Sequence, residues 1–277
     1  MPKIAICFFG ITRSLTHTVS SIELNILAPA RKLGEVVVYS HFFLQKDIIN
    51  PRSGELGELD LDEQRLLPSD WLQLEEPDAC LSDYDFDQLR SHGDSWQDDF
   101  RSLRNLVHQL HSLNAVTKAA LADGADICLF CRPDLTYHDS LLRPLKLAAV
   151  TNVATVFLPY WQGNGGLNDR FAICVQKEAI SAYGQRIQNA HAFCSIMAGP
   201  LNSEHLLAYS LSLAGVNICK IGNRASRTRL GGVKKYEDFS RPWVYRMKTW
   251  IRPQTILFAE RLGLRQTFRA LLKKTRP

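Results

Sequence analysis

The chain has 277 residues, of which 45% are hydrophobic, and a formal net charge of +5. This composition is that of an ordinary soluble globular protein. No apolar run approaches the roughly 20 residues that a membrane-spanning helix requires, so we expect no such helix. The N-terminal run up to Gly10 is short, strand-like and lacks a small-residue cleavage site, so we interpret it as the first strand of a domain rather than a signal peptide and expect a cytoplasmic protein.

The seven cysteines lie mostly inside apolar runs, which favours buried, reduced thiols and supports a cytoplasmic location. Cys128 and Cys131 have the C-x-x-C spacing of some zinc and redox sites. On a strand, however, residues three apart point to opposite faces of the sheet. We therefore do not expect this pair to bind zinc or to act in redox chemistry.

Strand-like and helix-like segments alternate in the N-terminal part of the chain. Residues 4–9 form an apolar strand-like run, residues 19–33 have a helical pattern, and residues 35–42 are rich in β-branched side chains. This order is typical of a parallel sheet flanked by helices. We predict an α/β fold of Rossmann type with a mostly parallel sheet.

The first predicted strand ends at Gly10, and Arg13 follows in the turn. Glycine lets a ligand approach the backbone closely, and nucleotides bind at this edge of a parallel sheet. We therefore expect Gly10 and Arg13 to contact a phosphate group. The G-x-G-x-x-G spacing of dinucleotide-binding proteins is missing, and a glycine turn with an exposed arginine is the alternative.

Residues 45–99 interrupt the alternation. They are rich in Asp, Glu, Ser and Pro, with little periodicity, which predicts a long acidic insertion with short helices at most. A helical stripe of apolar residues follows over residues 102–121. His108 and His111 lie one turn apart on this helix without an evident carboxylate partner, so we interpret them as polar residues on its flank.

The apolar run Ile127–Cys131 is followed directly by Arg132, Pro133 and Asp134. A buried strand is predicted, and proline ends it because proline cannot donate to a central ladder. Arg132 suits a phosphate group, and Asp134 suits a divalent cation or a sugar hydroxyl. A structural salt bridge at the end of the strand is the alternative.

Residues 160–170 join a predicted strand, residues 154–158, to a further apolar segment. Glycines at positions 163, 165 and 166 make this loop permissive. Trp161 suits stacking on a sugar ring, while Asn168, Asp169 and Arg170 concentrate hydrogen-bonding groups. We predict a sugar-binding loop, and a glycine-rich hairpin is the alternative.

The last elements before the C-terminal region are a helix and a strand. Ser203–Leu213 has a helical pattern, and Glu204 lies in the first turn, where the helix dipole favours a carboxylate. Residues 216–221 predict a short strand.

Five segments in this order carry a resemblance to a known family. They are Phe-Phe-Gly-Ile-Thr-Arg at 8–13, Ser-Leu-Asn-Ala-Val at 112–116, Arg-Pro-Asp-Leu at 132–135, Gly-Gly-Leu-Asn-Asp-Arg-Phe-Ala-Ile at 165–173 and Ser-Glu-His-Leu-Leu-Ala-Tyr at 203–209. Together they resemble the bacterial GT-A-like glycosyltransferases of capsule, O-antigen and lipopolysaccharide-core synthesis. The resemblance covers about residues 3–222.

The resemblance implies a GT-A-like fold and a hexosyltransferase-type activity that depends on a nucleotide-sugar donor. GT-A enzymes generally hold Mn²⁺ or Mg²⁺ on an Asp-x-Asp motif at a strand end. Here Arg132 takes the place of the first Asp, and Asp134 that of the second. The donor diphosphate is then neutralised either by Arg132 directly or by a metal ion on Asp134.

Residues 1–223 are thus expected to form the donor-binding and catalytic domain. Arg13 and Arg132 would stabilise the leaving diphosphate. For an inverting enzyme, Asp169 is the first candidate for the catalytic base and Glu204 the second. A non-catalytic, membrane-associated scaffold of a polysaccharide assembly complex is the alternative. A sulfotransferase is disfavoured by the missing phosphate-binding glycine loop.

The remaining residues, 224–277, hold 15 Lys and Arg against 3 Asp and Glu, whereas residues 1–223 hold 18 against 25. Between residues 241 and 276 the basic side chains alternate with aromatic and aliphatic ones, a pattern that favours anionic lipid headgroups. No nucleic-acid-binding motif accompanies the charge. We expect a basic helical extension that attaches the protein peripherally to the inner membrane, near a lipid-linked glycan acceptor. A helix packed on the acidic domain is the alternative.

Overall fold

A mixed β-sheet runs through the centre of the computed structural model, which describes residues 2–50 and 54–241. Within these residues the strands are β1 (Lys3–Gly10), β2 (Glu35–Phe43), β3 (Asp47–Asn50), β4 (Glu55–Glu58), β5 (Trp71–Glu75), β6 (Ile127–Cys131), β7 (Leu135–Tyr137), β8 (Thr155–Pro159), β9 (Phe171–Val175), β10 (Asn217–Ile221) and β11 (Ala225–Arg227).

The central sheet has seven strands in the order β10-β8-β9-β6-β1-β2-β5. Its neighbouring pairs are parallel except for the two that β9 makes with β6 and β8. The carboxyl ends of β1, β2, β6 and β8 therefore share one edge with the amino end of β9. The chain continues from β1 to β2 on one side and later returns to β6 on the other. This arrangement creates a switch point between β1 and β6, where ligands bind in open α/β sheets.

The helices lie along both faces of the sheet. They are α1 (Leu15–Ile22), α2 (Ala28–Arg31), α3 (Phe86–Ser91), α4 (Arg101–Ala122), α5 (Leu142–Ala149), α6 (Lys177–Gly184), α7 (Ala190–Met197) and α8 (Ser203–Leu213), with a π-helical segment (Glu23–Leu27) between α1 and α2. The predicted α/β fold with a mostly parallel, helix-flanked sheet is confirmed.

Strand alternation divides the buried side chains between the two faces. On β1, Cys7 and Phe9 join the apolar cluster formed with α4, α6 and α8. Ile6 and Phe8, which alternate with them along the strand, point to the opposite face of the sheet. Both sets are fully buried. β1 is therefore covered on both faces, which explains why its sequence is continuously apolar.

Helix α4 fixes the ends of two central strands. The Ser112 hydroxyl accepts a hydrogen bond from the Gly10 N–H at 2.8 Å and donates one to the His41 carbonyl at 2.7 Å. Gly10 has a φ of +105°, a conformation that residues with a side chain rarely adopt. The turn after β1 therefore begins at a defined position beside α4.

The acidic insertion is more ordered than its composition predicts. Residues 47–58 contain the antiparallel pair β3 and β4, and β5 joins the central sheet as an edge strand parallel to β2. Glu75 at the end of β5 places a carboxylate oxygen 2.8 Å from His111 Nε2. His108 Nε2 likewise lies 3.0 Å from Asp78 Oδ1. The interpretation of both histidines as residues without a carboxylate partner was therefore wrong.

The chain divides into two units, residues 1–237 and residues 238–277. The first unit extends past residue 223, the boundary expected from the charge, because β11 pairs with β7. Of the second unit, only residues 238–241 are described. The predicted helical extension and nearly all of the membrane-binding segment 241–276 lie outside the described residues.

Two further expectations concern the helices and the cysteines. Among the described residues, no helix combines the length and the apolar character needed to cross a membrane. All seven cysteines are free thiols, and six of them are buried.

Candidate functional site

A cavity of about 830 Å³ opens at the shared edge of the sheet, beside the switch point. Seven of the nine residues predicted to bind or react with a substrate line this cavity. They are Gly10, Arg13, Arg132, Asp134, Asp169, Arg170 and Glu204. They reach it from the ends of β1 and β6, the loop before β9 and the first turn of α8.

Asp134 is the buried centre of an ion triplet with Arg13 and Arg132. Its Oδ1 accepts a hydrogen bond from Arg132 Nε at 2.9 Å. Its Oδ2 accepts from Arg132 Nη2 at 2.8 Å and from Arg13 Nη2 at 2.6 Å. Asp134 is only 1% exposed. The ends of β1 and β6 are thus joined through charge-assisted hydrogen bonds, which are among the stronger polar contacts in proteins.

Neighbouring residues hold the turn that carries Asp134. The Thr18 hydroxyl, on α1, donates to the Pro133 carbonyl at 2.6 Å. The Tyr137 hydroxyl contacts both the N–H and the carbonyl of Arg132, each at 3.1 Å. Arg132 also donates from Nη1 to Gln109 of α4 at 2.8 Å. The turn is therefore fixed from both faces of the sheet.

This environment decides how Asp134 ionises. Burial opposes the charged form, but the guanidinium groups of Arg132 and Arg13 outweigh it and hold the pKa of Asp134 well below its usual range. A divalent ion on this carboxylate would lie next to two cations that already bind both of its oxygens. Asp134 therefore does not fit the metal-ligand role suggested for it.

In the loop of residues 160–170, the structure changes the interpretation of Trp161 and Asn168, which were predicted to bind the donor. Trp161 is fully buried, and its Nε1 donates to the Asn223 carbonyl at 2.8 Å. Asn168 is 1% exposed and donates to the Trp161 carbonyl at 2.6 Å. Neither side chain presents a surface to a sugar. Both hold the loop in shape, and the guanidinium of Arg170 lies 5.4 Å from the centre of the Trp161 ring.

The glycines let the same loop lie directly on the start of α8. A Cβ on Gly166 would come within 2.3 Å of the Glu204 carbonyl oxygen. The Leu167 N–H donates to this carbonyl at 3.0 Å. The close approach places Asp169 beside the first turn of α8, which carries Glu204.

Asp169 and Glu204 form a pair of carboxylates in the cavity wall. Asp169 Oδ2 accepts a hydrogen bond from the Ser203 hydroxyl, and Glu204 Oε1 accepts from Asn164 at 2.7 Å. Burial and the nearby charge of Asp169 raise the pKa of Glu204. A carboxylate of this kind holds a proton more strongly than an ordinary glutamate, as a general base requires.

Four charged residues that the sequence did not single out complete the site. Two buried glutamates each hold two arginines: Glu55 contacts Arg13 and Arg229, and Glu237 contacts Arg170 and Arg227. Glu55 was hidden in the acidic insertion, and Arg227 and Arg229 in the basic C-terminal region. One feature of the sequence could have pointed to Arg227 and Arg229. The basic residues begin at residue 224, well before the aromatic residues of the segment 241–276.

The arginines are crowded together in the cavity wall. Burial and the charge of Arg227 lower the pKa of Arg170 to about 10. Burial and the charge of Arg13 lower the pKa of Arg229 to about 10. Both side chains stay protonated at neutral pH, and an anion bound beside either one would offset the repulsion from its neighbouring arginine. The cavity wall therefore offers several guanidinium groups to an anionic ligand.

Compared with known proteins, the chain matches no protein-family model and no curated protein sequence.

We predict that Asp134→Asn destabilises the fold, because it leaves the buried Arg13 and the partly buried Arg132 without their shared counter-charge. Removing one partner of a buried ion pair typically costs about 3–5 kcal/mol. Chemical denaturation at pH 7 measures the loss. Asp87→Asn, which removes an exposed partner of Arg90 at 3.2 Å, is the control and should cost less than about 1 kcal/mol.

The destabilisation should also depend on pH in a defined direction. The pKa of Asp134 in the folded protein lies below the unfolded value of about 3.9, so its ionised form stabilises the fold above that pH. The stability that Asp134 contributes is lost as pH falls from about 4 toward the folded pKa. The difference between wild type and Asp134→Asn should therefore narrow below about pH 4. A constant difference would contradict the ion-pair explanation.

Proposed function

We propose that the cavity binds the diphosphate of a nucleotide-sugar donor and that the protein is a GT-A-like glycosyltransferase. One observation carries this proposal: five arginines and the carboxylates of Asp169 and Glu204 line a single cavity at the ligand-binding edge of the sheet. Guanidinium groups bind phosphate oxygens in a bidentate manner, and carboxylates transfer protons to and from hydroxyl groups. A volume of about 830 Å³ is in the range of small-molecule and cofactor sites.

In the proposed reaction, the bond between the anomeric carbon and the donor diphosphate breaks, and the nucleoside diphosphate leaves with the electron pair. The arginines stabilise the negative charge that develops on it. An acceptor hydroxyl oxygen forms the new glycosidic bond, and its proton passes to a carboxylate. The raised pKa of Glu204 supports this residue as the base. Asp169, bound by Ser203, raises that pKa and positions the first turn of α8.

The donor site in this proposal neutralises phosphate with guanidinium groups. Arg132 is held at 2.8–2.9 Å by Asp134 and Arg13 at 2.6 Å, so both cations are fixed before the donor arrives. Preorganised charge is effective because it needs no rearrangement when the transition state forms.

We predict that Arg229→Gln weakens donor binding about 10- to 100-fold, since a hydrogen bond to a charged group is worth about 1.5–3 kcal/mol. Calorimetry and thermal shifts with UDP-, GDP-, CMP- and dTDP-sugars measure this. Wild type should be stabilised by one nucleotide class, equally with and without Mn²⁺. Arg224→Gln, which removes the exposed partner of Asp139, should bind as wild type. The donor assignment fails if no nucleotide sugar binds or if the two variants behave alike.

Glu204→Gln should lower turnover by a factor of about 10²–10⁴ while leaving donor affinity close to that of wild type. The amide oxygen can still accept from Asn164, so the fold of the loop is kept. Initial rates of sugar transfer and of donor hydrolysis measure the effect. Glu178→Gln, at an exposed position in the first turn of α6, is the matched control. Absence of any turnover in wild type, despite donor binding, would favour a scaffold over a transferase.

The basic segment 241–276 is part of the proposal, because a lipid-linked acceptor is presented at a membrane surface. Each basic residue near an anionic surface contributes about 1 kcal/mol. In co-sedimentation with anionic vesicles, the full chain should bind in a salt-sensitive manner, and a chain that ends at Ser240 should stay in solution. Neutral vesicles are the control. Equal binding by both chains, or binding by neither, would contradict membrane attachment.

A further inference from the structure

A second cluster of polar side chains lies behind the cavity wall, where β2, β5 and α4 meet. His41 Nε2 lies 3.3 Å from Glu75 Oε1, and His111 Nε2 lies 2.8 Å from Glu75 Oε2. One ligand atom from each of the three residues lies within 4.8 Å of the other two. The cluster therefore brings together two imidazoles and one carboxylate.

The fold itself determines this juxtaposition. β2 and β5 are parallel, and their register pairs Phe43 with Glu75. His41 lies two residues before Phe43, so both rings point to the α4 face of the sheet. The centres of the His41 and His111 rings are 5.4 Å apart. Ser112 of α4 holds the His41 carbonyl at 2.7 Å, so the helix and the strand cannot shift independently.

His41 is the unusual member of the cluster. It is fully buried, and neither of its ring nitrogens has a hydrogen-bond partner among the described residues. Its 3.3 Å approach to Glu75 lacks the alignment of a hydrogen bond. A buried polar atom without a partner is costly and rare in folded proteins. An ion bound at Nε2 would satisfy one of these nitrogens.

His111, the second imidazole of the cluster, is held by a contact at its other ring nitrogen. His111 Nδ1 lies 3.0 Å from the Tyr84 hydroxyl, so its second nitrogen is oriented while Nε2 faces Glu75. Such outer contacts are usual for metal-bound histidines. Two ligand atoms each about 2.1 Å from a tetrahedral ion are separated by roughly 3.4 Å. The distance from His41 Nε2 to Glu75 Oε1, 3.3 Å, is close to this value. The distance from His111 Nε2 to Glu75 Oε2 is 2.8 Å, so an ion would push these two atoms slightly apart.

We propose that His41, Glu75 and His111 bind a divalent transition-metal ion. Imidazole ligands favour Zn²⁺ and its neighbours over Mg²⁺ and Ca²⁺, which prefer oxygen ligands. Three protein ligands leave one position of a tetrahedral ion open, as in catalytic rather than structural zinc sites. The side chains of Glu75 and His111 are 25% and 14% exposed, which gives the ion access from solvent.

This site is separate from the proposed donor site and does not depend on it. The ring of Phe43 lines the cavity and lies between the two, with its centre 5.5 Å from that of His41 and 6.0 Å from that of His111. Loss of donor binding and loss of metal binding are therefore expected from different substitutions.

Zn²⁺ binding to the full chain tests the proposal. After metal is removed with a chelator and the chelator by gel filtration, calorimetry and equilibrium dialysis should show one high-affinity Zn²⁺ per chain. Excess Mg²⁺ should not displace it. In His111→Gln and in Glu75→Gln the affinity should fall by more than about 100-fold, beyond the 10- to 100-fold typical of outer-contact changes.

His108→Gln is the matched control, since His108 lies one turn earlier on α4 and contacts Asp78 at 3.0 Å instead. It should retain the Zn²⁺ affinity of wild type. Circular dichroism checks that each variant is folded, and visible absorption of Co²⁺ bound to wild type reports tetrahedral nitrogen and oxygen ligands independently of any variant. Absence of stoichiometric Zn²⁺ binding by wild type, or equal binding by His111→Gln, would overturn the proposal.

Discussion

Asp134 lies between the guanidinium groups of Arg13 and Arg132, and this triplet joins the two central strands at their carboxyl ends. β1 and β6 are neighbours in the sheet but are separated by more than a hundred residues of sequence. A pair of charges buried at such a junction is costly unless the geometry is good and every partner is present. The arginines that face the cavity are therefore fixed by the fold before any ligand binds.

The same principle extends from the triplet to the rest of the cavity wall. Glu55 contacts Arg13 and Arg229, and Glu237 contacts Arg170 and Arg227. Each of these two buried carboxylates serves two guanidinium groups, which lets the arginines lie close together in the cavity wall. Phe43 separates this charged wall from the imidazoles behind it. Two sites of different chemistry can therefore share one edge of the sheet.

Much of the architecture could be predicted because apolar periodicity reports local structure directly. The burial of β1 and β6 on both faces and the apolar stripe of α4 are visible in the sequence. β5 was missed because an edge strand alternates polar and apolar residues weakly, and its burial alternates only between intermediate and exposed. Charge composition placed the domain boundary at residue 223, whereas the first unit extends to residue 237 and includes Arg227 and Glu237.

The candidate site was only partly predictable for a different reason. Arg13, Arg132 and Asp134 follow strands, and parallel strands bring their carboxyl ends to one edge. Trp161 and Asn168 occupy a similar sequence context, yet they are buried and hold the loop. The role of Glu55 depends on contacts with Arg13 and Arg229 across long sequence separations, which no local pattern records.

The position of Glu237 at the end of the first unit has a consequence for protein synthesis. Arg170 and Arg227 leave the ribosome before the carboxylate that holds them both, and at about 5–20 residues per second several seconds separate Arg170 from Glu237. During this interval the nascent chain can form most of the sheet, but the electrostatic balance of the cavity is incomplete. The charge network of the cavity wall can therefore be completed only after the strands that support it have been synthesised.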